Sequence, residues 1–359
     1  EVPMYPELTI DLKKLQKNLD VLSNIAKKGD CSLMIVTKSV CADRKIAELI
    51  AEHEGVEYFA DSRIKNIKSY HDLPKKKVLL RLPQKCEIEE VVTYADISFN
   101  SEIETIKMLN DEAKRQGKVH NIVLMIDLGD LREGIFFKYE EEIFKAVEQI
   151  LRLSNIALYG LGVNLTCYGA IIPKYDNLSI LVDLARGIED RFSIKIPMLS
   201  GGNSSSLYLI EKNELPKGIN NLRLGEAFVL GNETAYGEHI EGTFKDAITL
   251  KAQIIELAIK PSLPIGEVGM DAFGNKPYYE DRGDRKRAIL AIGKQDTDIE
   301  SMTPVDPKID ILGASSDHLI MDVTDSDREY RVGDTIQFTL GYGGLLKSAT
   351  SSYVSRTYK

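Results

Sequence analysis

Short apolar runs alternate with longer amphipathic segments along the first two thirds of the chain. A continuous apolar run bounded by polar or glycine residues is typical of a buried strand, and apolar positions spaced three and four apart predict a helix. Strands are predicted at residues 32–38, 56–60, 78–82, 96–99, 121–128, 157–163, 196–199 and 221–224. The main helices are predicted at residues 12–28, 43–54, 87–94, 102–116, 139–153 and 176–190. This alternation predicts an α/β fold, a (β/α)₈ barrel of the TIM type over residues 10–235.

The pattern changes beyond residue 235. Apolar runs that contain β-branched residues recur there at 247–259, 288–292, 309–312, 318–323 and 335–338. No long helical pattern remains in this part of the sequence. The chain is therefore predicted to continue as an all-β C-terminal domain, formed by residues 236–359 together with residues 1–9.

Composition narrows the class of protein. With 46 basic and 55 acidic residues the net charge is −9, which argues against a nucleic acid or an anionic membrane as partner. No apolar run approaches the roughly 18 residues that a membrane span needs, and no signal peptide is visible. The four cysteines are scattered without zinc-like spacing, and the histidines show no ligand spacing, so we expect no metal. A cytoplasmic protein with reduced thiols is the simplest interpretation.

Lys38 is the last residue of the first predicted barrel strand. A lysine there is costly to desolvate unless it has a partner or a covalent role. A desolvated lysine with a lowered pKa can act as a nucleophile that forms a Schiff base, although a lysine that extends its amine to solvent fits the pattern as well. In this fold the working residues lie at or just after the C-terminal ends of the strands. Polar residues at those positions are Lys38, Asp61, Arg81, Asn100, Arg132, Asn164, Asn203 and Arg223.

The segment Ser200–Ser205 follows the seventh predicted strand and reads Ser-Gly-Gly-Asn-Ser-Ser. Glycines let backbone amides approach an anion closely, and Asn and Ser add hydrogen-bond donors. Barrels of this type frequently bind phosphate with the loops after strands seven and eight, and Gly225 follows strand eight. The segment therefore predicts either a phosphate site or an ordinary turn.

Four segments resemble those of one enzyme family: Val36–Val40, Gly129–Gly134, Ser200–Ser205 and Gly313–His318. In order and spacing, the chain resembles the alanine racemase-like, fold-type III family of pyridoxal-phosphate enzymes over nearly its whole length. Within that family it is most similar to the group of ornithine racemases. The resemblance implies pyridoxal 5′-phosphate as cofactor and racemisation of ornithine, or a related basic amino acid, by proton transfer to and from Cα on two bases.

The same resemblance implies roles for individual residues. Lys38 would carry the cofactor covalently and act as the base on one face of the substrate. Arg132 would lie near the cofactor hydroxyl and the substrate carboxylate, and Arg223 would face the pyridine nitrogen. The other cofactor contacts implied are Asn203, Ser204 and Gly225 at the phosphate, Tyr342 reaching the phosphate from the C-terminal domain, and Asn164 in place of a stacking histidine. Ser316 and Asp317 match a loop that reaches the partner subunit's active site, which implies a head-to-tail homodimer whose C-terminal domains complete each other's sites.

The sequence departs from the alanine racemase pattern at the second base. The family has a tyrosine there, and Asp271 aligns best with it. Asp271 is the first candidate for the opposite base and Cys167 the second, although Asp271 also fits a turn before Phe273. Met125 and Ala42 replace a lysine and a tyrosine of that family, which indicates a pocket roomier than one for alanine.

Two other functions stay open from the sequence. An amino-acid decarboxylase of the same fold would use the same cofactor with a different placement of the substrate carboxylate. A non-catalytic pyridoxal-phosphate-binding protein is the second alternative, and the predicted C-terminal domain counts against it.

Overall fold

The computed structural model describes residues 2–359. Its strands are β1 (Glu7–Ile10), β2 (Ser32–Val36), β3 (Tyr58–Asp61), β4 (Lys76–Leu79), β5 (Ile97–Asn100), β6 (His120–Asp127), β7 (Ile135–Phe136), β8 (Ile156–Gly162), β9 (Met198–Ser200), β10 (Asn221–Leu224), β11 (Ile248–Pro261), β12 (Asp284–Leu290), β13 (Met302–Pro304), β14 (Asp310–Ala314), β15 (Leu319–Asp322), β16 (Thr335–Leu340) and β17 (Ser355–Tyr358). Its α-helices are α1 (Leu12–Lys28), α2 (Arg44–Glu52), α3 (Ile64–Ser69), α4 (Ile88–Tyr94), α5 (Ile103–Arg115), α6 (Glu140–Leu151), α7 (Tyr175–Phe192), α8 (Leu207–Glu211), α9 (Glu226–Leu230) and α10 (Tyr342–Thr350).

Eight parallel strands close into a barrel in the N-terminal part of the chain. Their order is β5-β4-β3-β2-β10-β9-β8-β6, and pairing of β5 with β6 closes the ring. The short strand β7 adds to the edge of β6. The predicted TIM-type barrel is confirmed, and each predicted barrel strand overlaps an observed one.

Apolar side chains that point inward fill the barrel. Met34 and Val36 of β2, Phe99 of β5 and Val123 of β6 belong to one buried cluster. Alternate residues of a strand point to opposite faces, so each strand also supplies side chains to the surrounding helix layer. On that outer layer α1 buries Leu15, Leu19 and Leu22, which are spaced to share one helix face.

The C-terminal part of the chain is a largely antiparallel, strand-rich domain, as predicted. Its long strand β11 pairs with β1, β12 and β16, and β17 runs parallel to β1. Helix α10 of this domain is not predicted by the sequence pattern. Gly343 and Gly344 lie in its first turn, and each glycine lowers helix propensity by roughly 1 kcal/mol relative to alanine.

Contacts divide the chain into two compact units. One contains Lys14–Lys245 and the other contains the residues up to Lys13 with Asp246–Lys359. The sequence pattern predicts these limits at residues 10 and 235. Across residues 2–359, no helix combines the length and apolar character needed to cross a membrane.

His120 makes the stability of the barrel sensitive to mild acid. Its ring is buried, and Nε2 lies 2.8 Å from Ser98 Oγ. Burial, helped by the charge of Lys118, lowers the pKa of His120 to about 4. Between the unfolded pKa of about 6.5 and a folded pKa of about 4, only the unfolded chain binds the proton. This contribution to stability is complete above pH 6.5 and is lost as the pH falls through that window.

We expect His120→Gln to remove that pH dependence, which amounts to about 3 kcal/mol in the free energy of unfolding. Urea unfolding of wild type and variant at pH 7 and near pH 4 measures it. The difference between the two proteins isolates His120, since other titrating groups are common to both. An unchanged difference at the two pH values would contradict the prediction.

Candidate active site

A cavity of about 490 Å³ opens among loops that follow the barrel strands. It is lined by Lys38, Ser62, Arg63, Leu80, Arg81, Leu82, Phe99, Met125, Arg132, Glu133, Asn164 and Arg223. Five of the polar strand-end residues singled out from the sequence meet here: Lys38, Arg81, Arg132, Asn164 and Arg223. They come from five strand ends that only barrel closure brings together, which is where this fold carries its chemistry.

Lys38 lies just beyond the end of β2, and buried hydrogen bonds of its neighbour Thr37 hold the backbone there in place. The preceding Thr37 is buried, and its Oγ1 donates to Asp61 Oδ2 at 2.7 Å. The same oxygen lies 3.0 Å from the hydroxyl of Tyr70. Asp61 also accepts the backbone N–H of Arg63 at 2.8 Å. This buried network orients the turn from which Lys38 extends.

The surroundings of Lys38 lower the pKa of its amine. Partial burial at the cavity, then the positive charge of Arg132, lowers the pKa of Lys38. The opposing influences of Cys167, Asp61 and Glu133 are smaller. An amine with a lowered pKa is both a nucleophile and a base, so the structure gives Lys38 the character that a covalent or proton-transfer role requires.

Arg223 is a fully enclosed cation on β10. Its Nη1 donates to Ser200 Oγ at 2.5 Å, and Nη2 donates to the carbonyl of Val163 at 2.6 Å. The guanidinium lies 5.0 Å from the centre of the Phe99 ring. Burial lowers the pKa of Arg223 to about 10, so it stays charged at neutral pH. Neighbouring strands therefore hold this donor rigidly at the cavity.

The loop after β6 is folded by Asp127 and Gly134. Asp127 Oδ1 accepts the backbone N–H groups of Gly129 at 2.9 Å and Leu131 at 3.1 Å. Gly134 has φ +122°, and a Cβ there would lie 2.6 Å from the backbone nitrogen of Asp127. Only glycine relieves both constraints, so the loop returns tightly to β6 and presents Arg132 at the cavity.

A polar network joins the loops after β6, β8 and β9. Arg132 Nη2 donates to Glu133 Oε1 at 2.9 Å, and Arg132 Nε bonds the other carboxylate oxygen. Asn164 Nδ2 donates to Glu133 Oε1 at 3.2 Å. Asn203 Nδ2 donates in turn to Asn164 Oδ1 at 2.9 Å. Three loops are thus locked through residues that line or adjoin the cavity.

The Gly/Ser/Asn segment forms a tight turn over the neighbouring helix α9. Asn203 accepts the N–H of Ser205 at 2.8 Å, and Ser204 Oγ accepts the N–H of Ala227 at 3.1 Å. Gly225 is the residue that precedes α9. The hydroxyl of Ser205 is buried and has no hydrogen-bond partner within residues 2–359. A buried hydroxyl without a partner is costly, and it is explained if a ligand accepts from it.

Cys167 lies beside this network. Its Sγ donates to the carbonyl of Leu165 at 3.5 Å, and Asn203 Nδ2 lies 3.7 Å from the sulfur. Burial raises the pKa of the thiol more strongly than the charge of Arg132 lowers it. Burial therefore favours the neutral thiol of Cys167 in this chain.

Of the remaining predicted residues, Asn100 is buried at the end of β5. Four belong to the C-terminal unit, namely Asp271, Ser316, Asp317 and Tyr342. Asp271 lies in an exposed loop and forms a turn, in which its Oδ1 accepts the N–H groups of Phe273 and Asn275 at 2.9 Å. These hydrogen bonds lower the pKa of Asp271 within the single chain. Ser316 Oγ donates to Asp317 at 2.8 Å in the loop between β14 and β15, and Tyr342 begins α10. Their predicted roles stay predictions.

Glu133 lies in the motif Gly129–Gly134, but no role for it follows from the sequence. The available signal is its place beside Arg132 in the strand-end loop. The hydrogen bonds of Thr37 and Tyr70 near Lys38 were not predicted either, because neither residue lies at the cavity. Across residues 2–359, no group of three or more His, Cys, Asp or Glu side chains is arranged to hold a metal ion.

Comparisons with known proteins agree with this geometry. The family model described as alanine racemase, N-terminal domain, matches residues 10–233. A relative named ornithine racemase, from Acetoanaerobium sticklandii, is 58% identical over 353 residues, covering 98% of this chain and 99% of the relative. A lysine racemase from Thermotoga maritima is 37% identical over 363 residues, covering 99% of each. The fold matches a crystal structure of alanine racemase from Bartonella henselae with covalently bound pyridoxal phosphate, with a TM-score of 0.74, 16% identity and coverage of 99% and 100%.

Proposed function

We propose a function for this chain, which belongs to the alanine racemase family. It is a pyridoxal-phosphate-dependent racemase of ornithine or a related basic amino acid. The observation that carries the proposal is the amine of Lys38, whose pKa is lowered in a cavity shared with Arg132 and Arg223. Relatives named for racemisation of ornithine and of lysine, each aligned over nearly all of this chain, support the substrate class.

The residues present fit pyridoxal phosphate. Lys38 supplies an amine for covalent attachment, and the unpaired hydroxyl of Ser205 suits a phosphate oxygen in the loop that also contains Asn203 and Ser204. Arg223 would face the ring nitrogen, and because its pKa stays far above neutrality it does not give up a proton there. When bound, the cofactor withdraws electrons from the substrate Cα and so acidifies its proton.

Racemisation needs a base on each face of Cα, with a pKa near the working pH. Lys38 serves one face, since its lowered pKa leaves more of the amine neutral. Arg132 would hold the substrate carboxylate through a planar guanidinium that matches two carboxylate oxygens. The network through Glu133, Asn164 and Asn203 fixes the loops from which these groups extend.

Loss of the second base is expected to slow hydrogen exchange at Cα of one enantiomer much more than at Cα of the other. We expect Asp271→Asn to keep the cofactor and to lose Cα exchange from one enantiomer by about 100-fold more than from the other. Asparagine preserves the turn because it still accepts from Phe273 and Asn275. Hydrogen exchange of each pure enantiomer in heavy water, followed by proton NMR, gives the two rates.

Cys167→Ala is the matched variant for the other candidate. The same asymmetry in Cys167→Ala, with equal small losses in Asp271→Asn, would remove Asp271 from the mechanism. Asp271 lies in the C-terminal unit, which accords with a head-to-tail homodimer in which that unit serves the partner's site. This homodimer is part of the proposal. A cytoplasmic location is also part of it.

Proton NMR in heavy water tests the function itself. The protein with added cofactor is given L-ornithine and D-ornithine separately, beside lysine and alanine. We expect loss of the Cα–H signal with appearance of the opposite enantiomer, fastest for ornithine or lysine. Release of a diamine would establish the decarboxylase alternative, and a bound cofactor with no exchange on any amino acid would favour the non-catalytic binding protein.

A further inference from the structure

A basic amino acid, the proposed substrate, carries a second ammonium group at the end of its side chain, and the cavity that would bind it is lined mainly by cationic residues. Five cationic side chains line it: Lys38, Arg63, Arg81, Arg132 and Arg223. Glu133 is the acidic residue of that lining, and no other appears in it within residues 2–359. A phosphate and a substrate carboxylate suit such a cavity, whereas a distal ammonium needs a carboxylate partner there.

Glu133 is an ionised and largely enclosed carboxylate. Its side chain is 16% exposed, and both oxygens bond the guanidinium of Arg132. Burial works to raise the pKa of Glu133, but the hydrogen bond and charge of Arg132 outweigh burial and hold it below the usual value. Asn164 donates to the same carboxylate and fixes its direction.

The Arg132–Glu133 pair has the two charges that a diamino acid complements. Without a substrate, the charges of Arg132 and Glu133 compensate each other, because the two side chains form an ion pair. Such a substrate carries a carboxylate that matches the guanidinium and a distal ammonium that matches the glutamate. Its binding exchanges one ion pair for two without leaving a charge unpaired, which is the condition for keeping charges in a partly buried site.

From this arrangement, and resting on the proposed function, we propose that Glu133 binds the distal ammonium of the substrate and sets the preference for basic amino acids. Arg132 and Glu133 exchange their mutual pair for the carboxylate and the ammonium of one substrate molecule. A monoamino acid meets only half of this set and leaves Glu133 without a substrate partner. Selectivity then comes from one side chain of the loop after β6.

The test compares ornithine with norvaline, which has the same carbon chain without the distal ammonium. Glu133→Gln keeps the shape of the side chain and an oxygen for Asn164, but removes its charge. We expect kcat/KM for ornithine to fall by about 30- to 100-fold, mostly through KM, and the preference for ornithine over norvaline to fall by about tenfold or more. Glu148→Gln is the matched control, because Glu148 pairs with Arg152 on the exposed surface of α6.

An equal loss on both substrates would overturn the proposal, since it would make Glu133 a positioning residue for Arg132 and Asn164. Glu133→Asp keeps the charge, and we expect it to retain the preference for ornithine in part. Titrating the absorption of the cofactor-loaded protein with each amino acid gives dissociation constants that do not depend on turnover. If the wild type binds ornithine more tightly than norvaline, Glu133→Gln loses that difference and neither amino acid is racemised, the proposed function fails while this inference stands. Equal binding of the two by the wild type, or a preference that Glu133→Gln keeps, overturns the inference.

Discussion

Lys38→Ala is expected to abolish covalent attachment of pyridoxal phosphate and to lower racemisation by about a thousandfold or more. The amine of Lys38 is placed beyond β2 by the buried contacts of Thr37 with Asp61 and Tyr70. Its pKa is lowered by burial and by Arg132. Alanine removes the attachment point and one of the two bases at the same time. It removes no hydrogen bond from the network below, so the barrel is expected to fold.

Borohydride reduction followed by peptide mass spectrometry gives the clearest measurement. In the wild type, the peptide that contains Lys38 is expected to gain the mass of the reduced cofactor, and the visible absorption of the bound cofactor disappears on reduction. Lys45→Ala is the matched control, because Lys45 lies nearby on the exposed face of α2. Cofactor that remains attached to another residue in Lys38→Ala would refute the assignment.

Arg132→Gln is expected to lower kcat/KM by about 100- to 1,000-fold. A charged guanidinium that bonds a carboxylate through two nitrogens contributes about 3–4 kcal/mol, and about 1.4 kcal/mol corresponds to tenfold. Glutamine keeps one donor and loses the charge. The loss is expected for every substrate that carries an α-carboxylate, which separates Arg132 from the substrate-dependent effect expected at Glu133.

Arg132→Gln also has an expected effect on pH dependence. Arg132 lowers the pKa of Lys38, so its removal raises that pKa and keeps the amine protonated to a higher pH. The rate at which cofactor attaches to the cofactor-free protein, trapped with borohydride, is then expected to reach its plateau at a higher pH than in the wild type. Arg152→Gln, in an exposed pair with Glu148, is the control. A pH profile that coincides with the wild type would remove Arg132 from the electrostatics of Lys38.

The barrel strands were accessible from the sequence because they depend on local composition. Apolar runs such as 32–36 and 121–127 bury both faces of a strand inside a helix layer, and such runs are visible without knowledge of their neighbours. Strand ends then indicated Lys38, Arg132, Asn164 and Arg223 as candidates, and the resemblance to a family gave them roles. Helix α10 was not predicted because Gly343 and Gly344 lower the helix propensity of its first turn. Tertiary packing decides its conformation instead.

Pairing between side chains was the part that only the tertiary structure decided. Lys38, Arg132 and Arg223 lie far apart along the chain, and they meet because β5 pairs with β6 and closes the ring. The pattern along the sequence does not contain the distances across the closed barrel. It therefore did not reveal that Glu133 is the acidic residue of a cationic cavity. The contact of Thr37 with Tyr70 was hidden for the same reason. By itself, the sequence determined the strands, the barrel and the residues at its strand ends, because these follow from local periodicity; the tertiary structure decided the charges and hydrogen bonds among those residues, because these depend on distances across the closed barrel.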